Sequence, residues 1–259
     1  MKPLQILALL AAAALAVPAN AAGRLAELSV FDRSTGRELP IHWHQGRAYV
    51  VGKPGNEYRI DVRNRSGGDL LAIMSVDGVN VLSGKTASAT QGGGYVLSSW
   101  EKASVLGWRK SMEEIAAFYF TSLGDSYAGR TGRPDNVGVI GVALYERKRP
   151  PEPVARADAP SEPARERREG LLSKRLGNAA PEAPASAAAP SAPLGTGHGR
   201  REDSPTRFVS FERATEQPAE TLTIYYDSYR NLVAQGVLPQ YGQRRDPNPF
   251  PTGFVPDPR

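Results

Sequence analysis

Residues 147–206 break the chain in two. They are rich in Pro, Ala, Arg and Glu and almost devoid of aromatic and β-branched side chains. Such a stretch cannot bury enough apolar surface to offset the entropy lost on ordering, so it is expected to be a disordered linker. Its charges nearly cancel, which argues against extension by self-repulsion. Any fold must therefore be assembled from what flanks it. The block 207–239 is too short to fold alone. We expect it to pack back onto residues 23–146, which is tolerable because loop-closure entropy grows only logarithmically with length.

The leading block reads as short strands separated by turns. In EYRIDVRN (57–64), Tyr58, Ile60 and Val62 alternate with Arg59, Asp61 and Arg63, the period of a strand buried on one side. ELPIHWH (38–44) repeats the pattern with Leu39, Ile41 and Trp43, and Leu28 and Val30 mark an earlier strand. VGVIGVALY (137–145) is apolar on both faces, as in a central strand. IAAFYF (115–120) is also read as strand, on its aromatics. Turn signals at Asp77-Gly78, Pro54-Gly55-Asn56 and Gly92-Gly93-Gly94 recur every ten to twenty residues or so, which fits an all-β antiparallel sandwich. Beyond the linker, RFVSFERA and TLTIYYDSY look like strands. SYRNLVAQ suggests a short helix with Ser228 as N-cap and Gly236 past its end. Residues 240–259 are proline-rich and expected to be an extended tail.

The first 22 residues have the three parts of a secretory signal. Lys2 gives the positive start, an apolar run of roughly a dozen residues follows, and small residues precede a cut after Ala21 or Ala22. The run is too short to span a bilayer core of about 30 Å, and no later segment is long enough. The expected location is the periplasm or the exterior. The chain carries a formal charge of +5. Outside the cytoplasm its expected anionic partners are acidic polysaccharide, an envelope protein or lipid headgroups, the last through electrostatic contact only, and not nucleic acid.

With no cysteine, thiolate metal sites and cysteine nucleophiles are excluded. GVNVLSGKT (78–86) falls short of a phosphate-binding loop, because Val79 holds the position of the first glycine. It reads instead as a hairpin turn at Asp77-Gly78. Gly124-Asp125-Ser126-Tyr127 resembles the GDS motif of a lipase-like esterase family, which implies Ser126 as nucleophile. That family also needs a late Asp-x-x-His, and the residues before His198 supply no aspartate. We expect no catalytic set and no cofactor.

Three groups are candidate sites. Residues 123–136 form a long loop between apolar strands. It offers Asp125, Tyr127, Arg130, Arg133, Asp135 and Asn136 on a rigid frame, or else is a structural loop pinned by pairs such as Arg133 with Asp125. Tyr225, Tyr229 and Arg230 have the residue types enriched in interface anchors, with Tyr226 expected to pack inward. His42 and His44, two apart on one strand face, would bind Zn²⁺ or Cu²⁺ only with another ligand from a neighbouring strand.

At SVDGVNVLSGKTAS, QGGGYVL, GWRKS and AGRTGRPDNVGVIGVALYE, and later at LGTGHGRRE and SFERATEQPAETLTIYYDSYRNLVAQGVLP, the chain resembles a family of uncharacterised exported proteobacterial proteins. The resemblance implies export and the two-block layout, and adds no chemistry. The expected function is a non-enzymatic binding or interaction module. The alternatives are a metal-dependent hydrolase using His42 and His44, or a structural factor of the envelope.

Overall fold

The computed structural model of the protein describes residues 21–90, 92–149 and 192–240. In chain order its strands are β1 Ala21–Ala22, β2 Ala26–Asp32, β3 Arg37–Glu38, β4 His42–His44, β5 Arg47–Val51, β6 Glu57–Asn64, β7 Leu70–Val76, β8 Val79–Asn80, β9 Tyr95–Leu97, β10 Lys102–Val105, β11 Gly107–Arg109, β12 Glu114–Ser122, β13 Val139–Glu146, β14 Leu194–Asp203 and β15 Glu220–Asp227. The helices are α1 Tyr127–Arg130 and α2 Tyr229–Ala234, with 3-10 turns at Leu123–Asp125 and Pro134–Asn136. The fold is all-β, as expected.

Two sheets face each other. The first runs β1-β2-β6-β12, with β10 paired to β6, β11 to β12 and β3 to β2; β14 lies along β12. The second runs β4-β5-β15-β13-β7-β8, with β9 on β7. β15 therefore enters the middle of the second sheet, antiparallel to β13 and parallel to β5. Each sheet takes one strand from beyond residues 150–191.

The alternation read in 57–64 is the alternation observed. Tyr58, Ile60 and Val62 are fully buried. They join Leu28, Phe118 and Phe120 of the first sheet and Met74, Ile140, Ile224 and Tyr226 of the second in one core. Asp61, on the opposite face of β6, is also buried. Burial alone would raise its carboxyl, but hydrogen bonds from Lys102, Arg59 and Ser104 outweigh that and hold it below the usual carboxylate range. Residues 137–145 supply most of the central strand β13, flanked by β7 and β15. α2 is capped as expected: Ser228 Oγ accepts from the Asn231 N–H, and Gly236 has φ +72°.

Three expectations need correction. Leu194–Asp203 falls inside the stretch expected to be disordered, yet it is the ten-residue strand β14. RFVSFERA is not a strand; its one ladder contact is an isolated bridge between Arg213 and Arg147. ELPIHWH is not continuous: β3 pairs with β2 in the first sheet, while β4 pairs with β5 in the second. Pro40, which cannot donate to a ladder, lies at the crossing. Ile41 is buried, but Trp43 is 56% exposed rather than inward. The expected signal peptide up to residue 20, the core of the expected linker (150–191) and the tail from 241 lie outside the described residues. β1 pairs with Glu27 and Leu28, so a cut after Ala22 would remove that two-residue strand.

Candidate functional site

The loop 123–136 sits on a buried polar network, which fixes where its side chains point. The network begins at the hairpin between β7 and β8. Val76 pairs with Val79, leaving Asp77 and Gly78 as a two-residue turn with φ +52° and +70°, the signs a type I′ turn requires. The turn buries the Asp77 carboxylate. Its Oδ1 accepts from the Gly138 N–H (2.9 Å) and the Tyr226 hydroxyl, and its Oδ2 accepts from the Thr196 N–H (2.7 Å). The Thr196 hydroxyl lies 2.6 Å from both the Tyr58 and the Tyr226 hydroxyls. Four residues from β6, the β7–β8 turn, β14 and β15 are thus joined by hydrogen bonds inside the core.

The electrostatics follow from burial. Desolvation pushes Asp77 up to about 6, against the pull of the Tyr226 hydroxyl and the backbone N–H groups of Thr196, Gly138 and Val139. Burial, and then the Asp77 charge, raise both phenols well above the ordinary tyrosine value, so both are neutral at physiological pH. A buried carboxyl of raised pKa often marks a catalytic site. Here its acceptor positions are taken by the frame itself, and it acts as a fastener between strands.

The loop packs on the outside of this turn. A Cβ on Gly78 would come 2.8 Å from Asn136 Cβ, so only glycine permits that contact. Ser126, the serine of the GDS-like motif, is buried. Its hydroxyl donates to the Leu123 carbonyl (2.7 Å) and accepts from the Gly129 N–H (2.9 Å), capping α1. The expected Arg133–Asp125 pair does not form. Arg133 donates to the Gly84 carbonyl (3.1 Å) and to Thr131 Oγ1, and lies over the Tyr127 ring at 5.8 Å. Asp125 accepts from the Ser122 hydroxyl at 2.9 Å. Arg130, Asp135 and Asn136 are exposed.

Tyr127 is where the loop meets β14. Its ring contacts Trp108 at 5.0 Å on the core side and His198 at 5.8 Å, tilted by 31°, on the exposed side. Partial desolvation, then the charges of Lys110, Arg201 and Arg130, lower His198 from its ordinary value, so the imidazole is neutral at physiological pH. Arg201 also reaches Glu114 at 3.3 Å. The outcome is a pair of neighbouring, tilted rings set among four cations, Lys110, Arg130, Arg133 and Arg201.

The other candidates lie apart from this face. Tyr226 packs inward, as expected. Tyr225 lies outward on the second sheet, 5.4 Å from the Tyr49 ring and 5.4 Å from the Arg47 guanidinium. Tyr229 and Arg230 are exposed on α2 and are not part of that cluster. His44 meets Tyr49 edge-on at 6.5 Å. Among the described residues no group of three or more His, Asp or Glu is placed to hold a metal ion, so the third ligand that His42 and His44 would need is not found there.

Sequence reading missed both Thr196 and His198, because LGTGHGRRE lies in the stretch assigned to the linker. In the sequence Asp77 reads only as a turn residue. The signal for its network is the spacing of polar residues within apolar strands: Tyr58 between Glu57 and Ile60, Tyr226 after Ile224, Thr196 between glycines.

Together the fold and this face define a two-sheet all-β protein with an aromatic and cationic surface at one end. Comparison with protein-family models, with curated proteins and with solved structures finds no match in any of the three.

Proposed function

We propose that the protein is an exported, non-enzymatic binding module that holds an acidic polysaccharide on the Tyr127–His198 face. The observation that carries this reading is the tilted Tyr127–His198 ring pair with Lys110, Arg130, Arg133 and Arg201 around it. Aromatic faces pack on the C–H faces of sugar rings, while guanidinium forks bind carboxylates in bidentate fashion. A neutral imidazole both donates and accepts hydrogen bonds, as sugar hydroxyls require. The loop is pinned to the Asp77 turn, so little conformational entropy is lost on binding. Export rests on the Lys2, apolar-run and small-residue pattern of the first 22 residues, which intact-mass analysis of the chain recovered from the periplasm tests directly.

The binding reading is tested with polygalacturonate and neutral dextran as probes. Saturable, salt-sensitive binding to polygalacturonate alone is expected, weakened at least tenfold in Arg130→Ala/His198→Ala while the melting temperature holds. Equal affinity for both polymers, or full affinity in the double variant, contradicts the reading. A second reading, docking of an envelope protein, is favoured by the Arg47–Tyr225–Tyr49 cluster, whose residue types are those of interface anchors. Replacing Tyr225 by Ala would then abolish that complex and leave polygalacturonate binding intact.

A further inference from the structure

Residues 204–219 cross the outside of the molecule as a strap between the two sheets. At its start the Ser204 and Thr206 N–H groups donate to the carbonyls of Glu113 (2.6 Å) and Met112 (2.9 Å), beside the turn that joins β11 to β12. Further on, the Lys148 N–H donates to the Glu212 carbonyl and the Ala214 N–H to the Glu146 carbonyl, both at 2.9 Å, which fixes the strap to the second sheet. Between these anchors no backbone–backbone hydrogen bond joins residues 207–211 to either sheet among the described residues. Phe211 is held by its side chain. It covers a small outer cluster of Leu71, Ile73, Ala143 and Tyr145, and the Arg147 guanidinium lies over its ring at 4.5 Å.

Beneath the span lies a cavity of about 860 Å³. That is within the range of small-molecule sites, about 300–1,000 Å³. Its apolar lining comes from Leu71, Leu82, Val96 and Met112, and from Phe208 and Phe211 of the span. Phe208 is 91% exposed and Val209 50%, an unusual expense of apolar surface for a strap free to turn them away. The lining holds five cations: Arg147 is paired with Asp69 and Arg213 donates to the Thr90 and Gly92 carbonyls, which leaves Arg109, Lys110 and Arg207 to face an anion. The carboxylates nearby are already engaged: Asp69 is paired with Arg147 at 3.1 Å, and Glu101 accepts from the Ser98 N–H at 2.7 Å. Arg109 donates to the Ser204 carbonyl and the Tyr95 hydroxyl, yet its Nε is buried with no partner among the described residues.

We infer that this cavity is a binding site for a single-chain anionic amphiphile, of which a long-chain carboxylate is the simplest. The chain lies on Leu71, Leu82 and Val96 beneath Phe208 and Phe211. The carboxylate faces Arg109, Lys110 and Arg207. The two parts of the lining demand the two parts of the ligand: a small anion leaves the apolar part wet, and a cationic chain of the same length meets like charge. The site shares Lys110 with the polysaccharide face, so its test uses Arg207 and Phe208, which take no part there.

Isothermal titration of the purified chain with laurate, dodecyltrimethylammonium and acetate, each below its micellar concentration, decides the matter. One laurate should bind per chain and raise the melting temperature with concentration. Dodecyltrimethylammonium and acetate should bind at least tenfold more weakly. Arg207→Ala should weaken laurate at least tenfold and Phe208→Ser several-fold. Both side chains are exposed, so the melting temperature without ligand should not move. Absence of saturable laurate binding, equal binding of the cationic amphiphile or of acetate, or unchanged laurate affinity in both variants would overturn the inference.

Discussion

Strands β14 and β15 both follow residues 150–191 in the chain, yet they join the sandwich by opposite means. β15 is a strand by its own composition. Leu222, Ile224 and Tyr226 are buried on one face, and β-branched and aromatic residues fill the rest. It takes the central position between β5 and β13. β14 reads LGTGHGRRED and has little strand propensity. Its partners impose the conformation. Tyr119 lies so close to Gly197 that a Cβ there would stand 2.2 Å from the ring, and a Cβ at Gly195 would meet Ser126 at 2.6 Å. Its charged end is clamped from outside, with Arg33 bidentate to Glu202 (3.0 and 2.9 Å) and Arg200 bidentate to Glu57 (2.8 and 3.1 Å). A strand can thus be made either by what it buries or by what lies against it, and only the first kind announces itself in its own residues.

The comparison breaks first at the centre of β15. Ile224→Asp puts an unpaired carboxylate at a fully buried position and should cost more than about 4 kcal/mol, enough to abolish the cooperative transition seen by circular dichroism. A mild effect would mean that β15 is not part of the core.

The Asp77 network fastens the two strands to each other through Thr196 and Tyr226, and it makes their union depend on pH. Asp77 is raised in the fold to about 6, above the unfolded value of about 3.9. The stability tied to its proton is therefore full below pH about 4 and lost as pH rises through about 6, at most about 3 kcal/mol for two units. Glu57, lowered by hydrogen bonding to Arg200 and by the Arg33 charge, and Asp61 act in the opposite sense at more acid pH. His198, lowered in the fold, acts against Asp77 in the same window, so the stability difference between the wild type and Asp77→Asn, rather than the wild-type denaturant midpoint alone, should grow from pH 7 to pH 5. A difference that stays constant over that range would assign the pH dependence to another group.

For β14 the informative change is steric. Gly197→Val should cost about 1–3 kcal/mol by overpacking against Tyr119. Pairing it with Tyr119→Ala should recover part of the loss in a double-mutant cycle; strict additivity would show that the close approach does not hold the strand. The smallest effect is expected at the outer clamp. Arg33→Ala removes a partly exposed, networked guanidinium and should cost about 0.5–1 kcal/mol, less at high salt.

The same distinction explains what could be read from the residues alone. The all-β class, strands 57–64 and 220–227, the Asp77-Gly78 hairpin and the capped helix after Ser228 each carry a local cause: alternation, turn chemistry or a cap. β14 has none, since its glycines are explained only by Tyr119 and the 123–136 loop. RFVSFERA misleads for the converse reason. Its alternating apolar residues imitate a strand, but Phe211 packs on the outer cluster while Phe208 stays exposed. For the candidate face, Tyr127, Arg130 and Arg133 were legible as loop residues on a rigid frame. His198 was not, because it reaches Tyr127 only through the pairing of β14 with β12, in which Phe118 stands opposite His198.

Cutting the chain between the two blocks tests the central claim most directly. With a specific protease site placed within residues 150–191, the cleaved protein should elute as one species under native conditions and melt in one transition, because β15 lies inside the second sheet and Thr196 and Tyr226 are bonded into the core. Release of the C-terminal piece as a free fragment, with the front portion melting at an unchanged temperature, would contradict the account.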